Sequence, residues 1–287
     1  MSLRNLPAPV ALQRPQSFSW DAPADTLAKW ADAPNAAEAD DPNSITIMDV
    51  IGEDPWTGGG VTEGRIAGAL RSIGRRDITV KINSPGGDMF AGLAIYNLLR
   101  EHPAKVTVKV MGIAASAASL IAMAGDEIQM ATGSVLMVHN AWGAVIGNRH
   151  DFAEAANIFE TFDKSMAAIY AARTGKTEDE IIAMLDGPNR ASDGTYLTAA
   201  EAVAAGFADV VVDGEDASRP AASLPPAIAA RRRVEAALAQ QGLTRRERQG
   251  ILAELGGERD AAAGAQRDAG SVEMALTSLL ATFSNPK

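Results

Sequence analysis

Ile78-Thr79-Val80-Lys81-Ile82-Asn83-Ser84-Pro85-Gly86-Gly87-Asp88, running on from Met89 to Arg100, is the stretch that decides the fold. Residues 78–82 are apolar or β-branched at nearly every position, which is the pattern of a strand. Asn83 to Gly87 punctuates it, because Pro has no N–H to give a ladder and Gly frees the backbone to turn. Asp88 then opens a helix whose Phe90, Leu93, Ala94 and Leu98 recur at helical spacing, and Pro103 stops it. A strand, a glycine turn and a helix in direct succession are the unit from which layered α/β domains are built.

The same alternation continues on both sides. Upstream, residues 44–51 alternate as a strand, residues 55–60 read as a loop and residues 62–73 as a helix. Downstream, Val106, Val108 and Val110 make a third strand. Gly112 then turns the chain into a small-residue segment, 114–124, whose composition predicts a tightly packed helix. Residues 127–130 and 135–138 are short strands, 151–173 one long helix and 177–185 a second. Thr198 caps a third helix over 199–205, ended by Gly206, and 209–212 is the last strand. The whole implies an α/β fold with a largely parallel sheet layered by helices, spanning residues 44–212.

The ends read differently. Residues 1–43 are rich in Ala, Pro, Asp and Asn and predict a flexible arm, with a short helix near 25–30. Residues 213–226 carry Gly, Ser and Pro and read as a linker. Residues 227–287 form a helical, partly disordered tail: helices at 227–240 and 243–255, low complexity at 261–270 and a short helix at 272–282. A tail this small and polar is too short for a large core of its own.

Composition narrows the chemistry. In 287 residues there is no Cys, which excludes disulfides, Cys-ligated zinc and a cysteine nucleophile. Three His leave little for a His-rich metal site, so neither metal nor cofactor is expected. With 26 basic and 36 acidic residues the net charge is −10, which argues against a nucleic-acid partner. No apolar run reaches membrane-spanning length, and the N-terminal patch, broken by Pro, is a poor secretory signal. The default reading is a soluble intracellular protein.

Three stretches stand where strands end: Ser84-Pro85-Gly86-Gly87-Asp88, Gly112-Ile113-Ala114-Ala115-Ser116-Ala117, and Val138-His139-Asn140. Open α/β sheets put their crevices at the carboxyl ends of strands, so all three are expected on one rim. A serine at a strand-to-helix turn, as at Ser116, exposes its hydroxyl beside free backbone N–H groups such as that of Ala117. The alternative is a small residue filling a tight contact. Ser119, a turn later, should lie inside the helix. His139 follows a purely apolar strand and suits a general base, against the alternative of a hydrogen-bonded structural His. Ser-Pro-Gly-Gly lets backbone approach a substrate closely and can add an oxyanion donor. A base of this kind needs a carboxylate to orient it. Asp193 is one candidate, and Asp163, Asp186 and Asp209 compete with it.

Ile82-Asn83-Ser84-Pro85-Gly86-Gly87, then Gly112-x-Ala114-Ala115-Ser116, then Val138-His139, then Leu197-Thr198-Ala199-x-Glu201-Ala202-Val203-x-x-Gly206-Phe207-x-Asp209 resemble the ClpP family of serine proteases in order and spacing. The resemblance covers about residues 44–212. It implies a crotonase-like spiral of ββα units and homo-oligomeric rings with inward-facing sites. It also implies Ser116 as nucleophile, His139 as base, and the backbone N–H of Gly86 or Gly87 and of Ala117 as the oxyanion hole. The family's acid falls at Gly194, one residue after Asp193, so a one-residue loop adjustment makes Asp193 the expected third member. The 54–56 loop, Asp88-x-Phe90-x-Gly92, His139-Asn140-Ala141-Trp142-Gly143 and the Ala/Arg-rich tail resemble the phage head maturation branch. That branch implies scaffold and capsid proteins as substrates, and a location in the host cytoplasm and inside assembling proheads. Two other classes stay open on the sequence: a crotonase-type acyl-CoA enzyme, which also uses paired backbone N–H donors, and an inactive scaffold ring.

Overall fold

The computed structural model describes residues 18–20, 22–32, 41–53, 60–188, 194–212 and 226–260. They fall into two compact units, one of residues 1–22 and 33–222 and one of residues 23–32 and 223–287.

The larger unit is a seven-stranded sheet with helices. Its spine runs β2 (Ser44–Ile47), β3 (Ile78–Ser84), β4 (Val106–Ala115), β5 (Glu127–Ala131) and β9 (Val210–Val212), all parallel. The connecting helices are α2 (Glu63–Ile73), α3 (Met89–Arg100) and α4 (Ala117–Ala122). Thr62 and Asp88 cap α2 and α3 by accepting the N–H of Arg65 and Ala91. Ile47, Val80, Ile82, Val108, Val110, Leu120 and Ile128 are fully buried between sheet and helices. Burying one such side chain is worth about 1.5–3 kcal/mol, so this layer is the main source of stability.

β4 departs from the sequence reading. It does not end at Gly112 but runs to Ala115, and α4 is only six residues long. Its first half pairs with β5, through Thr107–Val110. Its second half pairs with β6 (Val135–Val138), through Ile113–Ala115. The register against β3 shifts between Ile82 and Ser84, and there Asn83 Oδ1 accepts the N–H of Ile113 at 3.2 Å. A run of small apolar residues fits a strand buried on both faces as well as a helix, and periodicity cannot separate the two. Tertiary pairing settles it here.

Three short strands were not legible in the sequence: β1 (Phe18–Trp20), β7 (Gly143–Val145) and β8 (Thr195–Thr198). β8 lies antiparallel on β6, with Val138 opposite Thr195. β7 pairs antiparallel with β1 (Phe18–Trp20) from the arm. The long helix α5 (Arg149–Thr174) and then α6 (Glu178–Asp186) start from capping boxes at Asn148 and Thr177. α7 (Ala199–Ala204) starts from one at Thr198. In α5, Phe162, Met166, Ile169 and Tyr170 are core residues, whereas Phe152 is exposed.

The second unit also differs from expectation. The short helix expected near 25–30 is α1 (Ala24–Asp32), but it is not an isolated piece of a flexible arm. It clusters with α8 (Pro226–Gln240) and α9 (Arg245–Asp260). Leu27 and Trp30 of α1 are buried, as are Val234 and Leu238 of α8, and the Arg232 guanidinium lies 3.8 Å over the Trp30 ring. Each helix is too short to bury an apolar stripe alone, so segments from both ends of the sequence supply one small core. The segments at 54–59, 213–225 and 261–287, with the predicted linker, low-complexity stretch and last helix, lie outside the described residues.

Candidate active site

The register of β4 on β6 creates the site. Ala115 pairs with Met137, and the Ser116 N–H donates to the Met137 carbonyl at 3.0 Å. Ser116 and His139, the residues that follow the ends of β4 and β6, therefore emerge on one rim. Ser116 Oγ and His139 Nε2 are 2.7 Å apart. Ser116 has φ +55° and ψ −128°, and is the sole non-glycine among the described residues with positive φ. Such a backbone costs roughly 1–3 kcal/mol, and it persists because strand pairing and the buried helix α4 fix both sides of it. The other two histidines are elsewhere: His102 is buried against the Arg76 carbonyl at 2.7 Å, and His150 is exposed.

The Ser-Pro-Gly-Gly turn lies against Ser116. A Cβ on Gly86 would stand 2.6 Å from both the Ala115 carbonyl oxygen and Ser116 Cβ, and φ there is +91°, so only glycine fits. The turn is pinned from behind. Ser84 Oγ donates to the Asp49 carbonyl at 2.6 Å and accepts the Gly86 N–H at 3.2 Å. Ile51 bridges the turn, donating to the Gly86 carbonyl and accepting from the Asp88 N–H. The Gly86 N–H is thus committed. Those of Gly87 and Ala117 are in no hydrogen bond among the described residues, and both residues line the cleft with Ser116 and His139. Met89, Asn140, Ala141, Trp142 and Met166 complete its lining.

Ser119 is where the sequence puts it, inside. Its hydroxyl donates to the Ser116 carbonyl at 2.7 Å and pairs with the Tyr170 hydroxyl at 2.9 Å. Burial pushes the Tyr170 phenol well above its ordinary range.

The carboxylates separate cleanly. Asp209 accepts the Ile128 N–H and pairs with the buried Arg173. Asp186 Oδ1 accepts from Asn140 Nδ2 at 2.8 Å. Asp163 Oδ1 accepts the Ala141 N–H at 2.6 Å, and burial, with smaller repulsion from Asp186 and Glu160, pushes its pKa up to about 6. Asp193 lies outside the described residues. Its neighbour Gly194 is opposite His139 at the end of the β6–β8 pair. A Cβ on Gly194 would stand 2.1 Å from the Val138 carbonyl oxygen and 2.5 Å from His139 Cβ, at φ +60°. The roles of Asp163 and Asp186 in holding the loop after His139 were not legible in the sequence. Both were visible only as competing acids, because nothing local ties residue 163 to residue 141.

The model of the Clp protease family matches residues 69–215, more than half of the 287-residue chain. ATP-dependent Clp protease proteolytic subunit 1 of Streptomyces avermitilis is 34% identical over 152 residues, 52% of this chain and 67% of its own. The subunit of the same name from Mycobacterium tuberculosis is 34% identical over 140 residues, 48% of this chain and 66% of its own. Alignments to these relatives thus span about two thirds of their length. Among solved structures, a ClpP1 mutant from Listeria monocytogenes aligns over 61% of this chain and 94% of its own, at 21% identity and a TM-score of 0.49.

Proposed function

The chain belongs to the Clp protease family, and we propose that it is a serine endopeptidase of phage or prophage head maturation. One observation carries the chemistry: the 2.7 Å contact of Ser116 Oγ with His139 Nε2, at a residue held in a strained turn. In this reading His139 Nε2 takes the Ser116 proton as Oγ attacks the scissile carbonyl carbon. The oxyanion is held by the N–H groups of Gly87 and Ala117. His139 then returns the proton to the leaving amine, and water repeats the sequence on the acyl-enzyme. Gly86 serves as a spacer, because its own N–H is engaged by Ser84.

Asp193 is the proposed acid. It is one residue from Gly194, which touches His139. The competing Asp163, Asp186 and Asp209 each have another partner. An acyl-CoA enzyme of the same architecture has no use for a serine bonded to a histidine, so this contact favours the protease.

The head maturation role rests on the Asp88-x-Phe90-x-Gly92 and His139-to-Gly143 stretches and on the Arg-bearing helices of the second unit. Capsid and scaffold proteins are the proposed substrates, in the host cytoplasm and within proheads. A homo-oligomeric ring of the 44–212 domain is the proposed assembly, with exposed Phe152 and Ile146 among the apolar groups available to a neighbouring copy. Labelling with a fluorophosphonate tests the nucleophile. Mass spectrometry after co-expression with the neighbouring capsid protein tests the role, and intact capsid protein beside a labelled enzyme would reject it.

A further inference from the structure

The loop that follows His139 is not held as the rest of the rim is held. Asn140, Ala141 and Trp142 form one side of the cleft, yet they belong to no strand or helix. Among the described residues three bonds fix Asn140 and Ala141 from outside. The Asn140 N–H donates to the Leu185 carbonyl at 3.3 Å, Asn140 Nδ2 donates to Asp186, and the Ala141 N–H donates to Asp163. The last is the shortest, at 2.6 Å, and comes from α5, the helix that also places Met166 in the cleft one turn later.

We infer that Asp163 is a positioning residue: its carboxylate, through the Ala141 N–H, holds the Asn140–Trp142 wall in the shape that receives the substrate beside Ser116. The inference rests on the protease reading, and it concerns binding more than bond cleavage. A charged acceptor makes a hydrogen bond roughly twice as strong as a neutral one, so ionised Asp163 holds the wall more firmly than its protonated form. The groups that bear on Asp163 among the described residues are Glu160 on its own helix and Asp186 at the end of α6, both repulsive. His139 stands two residues before the amide it holds. Lys164 is turned to Glu160 at 2.6 Å. Protonation near pH 6 therefore loosens the wall within the range in which a histidine-dependent protease is assayed.

The test uses full-length Asp163→Asn, which keeps an acceptor and removes the charge, and Asp163→Ala, which leaves the Ala141 N–H without one. KM and kcat for a fluorogenic peptide are measured from pH 5 to 8, with hydrogen exchange of the segment 139–143 alongside. In the wild type KM rises as pH falls through about 6. In Asp163→Asn it stays raised, about 3- to 10-fold, across the range, with kcat within about 3-fold. In Asp163→Ala exchange at Ala141 accelerates at least about tenfold. Wild-type KM and exchange in both variants would overturn the inference. So would a kcat loss on the order of 10⁴ with unchanged exchange, which would make Asp163 the triad acid. A wild type that neither hydrolyses nor labels refutes the protease reading instead, while the exchange data still decide whether Asp163 holds the wall.

Discussion

The two walls of the cleft are built by different means. The wall at Gly86, Gly87, Ser116 and Ala117 is backbone held by backbone: the Ile51 bridge, the β4–β6 ladder and a glycine in contact with the serine. Its side-chain fasteners are the Ser84 and Ser119 hydroxyls, which do not ionise in the working range. The wall at Asn140 to Trp142 is held by two carboxylates and by one long bond to the Leu185 carbonyl. The first is therefore fixed at every pH at which the fold survives. The second is adjustable by charge. The proposed nucleophile and oxyanion donors stand on the rigid wall, where a misplacement of about 1 Å costs roughly 100-fold in rate. In the proposed mechanism the adjustable wall receives the part of the substrate that is bound without reacting.

The largest effects should come from the rigid wall. Ser116→Ala is expected to abolish labelling and lower kcat by about 10⁴- to 10⁶-fold with the fold intact, measured by burst kinetics and circular dichroism. A mild loss there, with a severe one in Ser119→Ala, would move the nucleophile. Asp193→Asn should lower kcat on the order of 10⁴-fold and leave the melting temperature near that of the wild type. Retained activity would show that His139 is oriented by something else. Gly86→Ala should cost at least about 100-fold in kcat, since its Cβ would meet the Ala115 carbonyl and Ser116 at 2.6 Å. Full activity would mean that the turn is not rigid, and the contrast between the walls would fail.

Smaller effects sharpen the contrast from the other side. Asp163 has its folded pKa raised above the ordinary value of 3.8 to about 6. Whatever its protonated form contributes to stability is fully present below pH 4 and is lost as pH rises through 6. Asp163→Asn should therefore gain stability relative to the wild type between pH 4 and pH 8, on the order of 2 kcal/mol. Urea melts at the two pH values read this directly, and a gain that shrinks with pH would reverse the sign. A residue that weakens the fold at neutral pH while holding the cleft is the trade expected of a functional position. Outside the cleft, Arg232→Ala should destabilise the helical unit by about 0.5–2 kcal/mol through its contact with Trp30 and leave peptide hydrolysis unchanged. Thermal melts followed at both units check this, and a loss of hydrolysis would tie the helical unit to catalysis.

Much of this was written locally. The strand read at 78–82, the helix starts at Asp88, Thr177 and Thr198 and the apolar spacing of α3 are short-range patterns, and each matches its element within a residue or two. Ser116, His139 and the Gly86–Gly87 turn were legible as candidates from residue type and position near strand ends, and only the family resemblance chose among the readings open for them. The continuation of β4 through Gly112 was not, because small apolar residues suit a doubly buried strand and a helix alike. Nor was the pairing of α1 with α8 and α9, which joins segments about 200 residues apart with no local signal between them.

By itself, then, the sequence determined the alternation of strands and helices, the absence of thiol chemistry and the three stretches that meet at the rim. Those follow from side-chain size, polarity and period, which act over a few residues. Only the tertiary structure decided which strand β4 pairs with past Gly112, and hence that Ser116 and His139 stand 2.7 Å apart. It alone separated the carboxylates, giving Asp209 to Arg173, Asp186 to Asn140 and Asp163 to the Ala141 amide. A carboxylate's partner depends on which distant amide or cation the packing brings within about 3 Å, and a hydrogen bond's short reach leaves no trace of that choice along the chain.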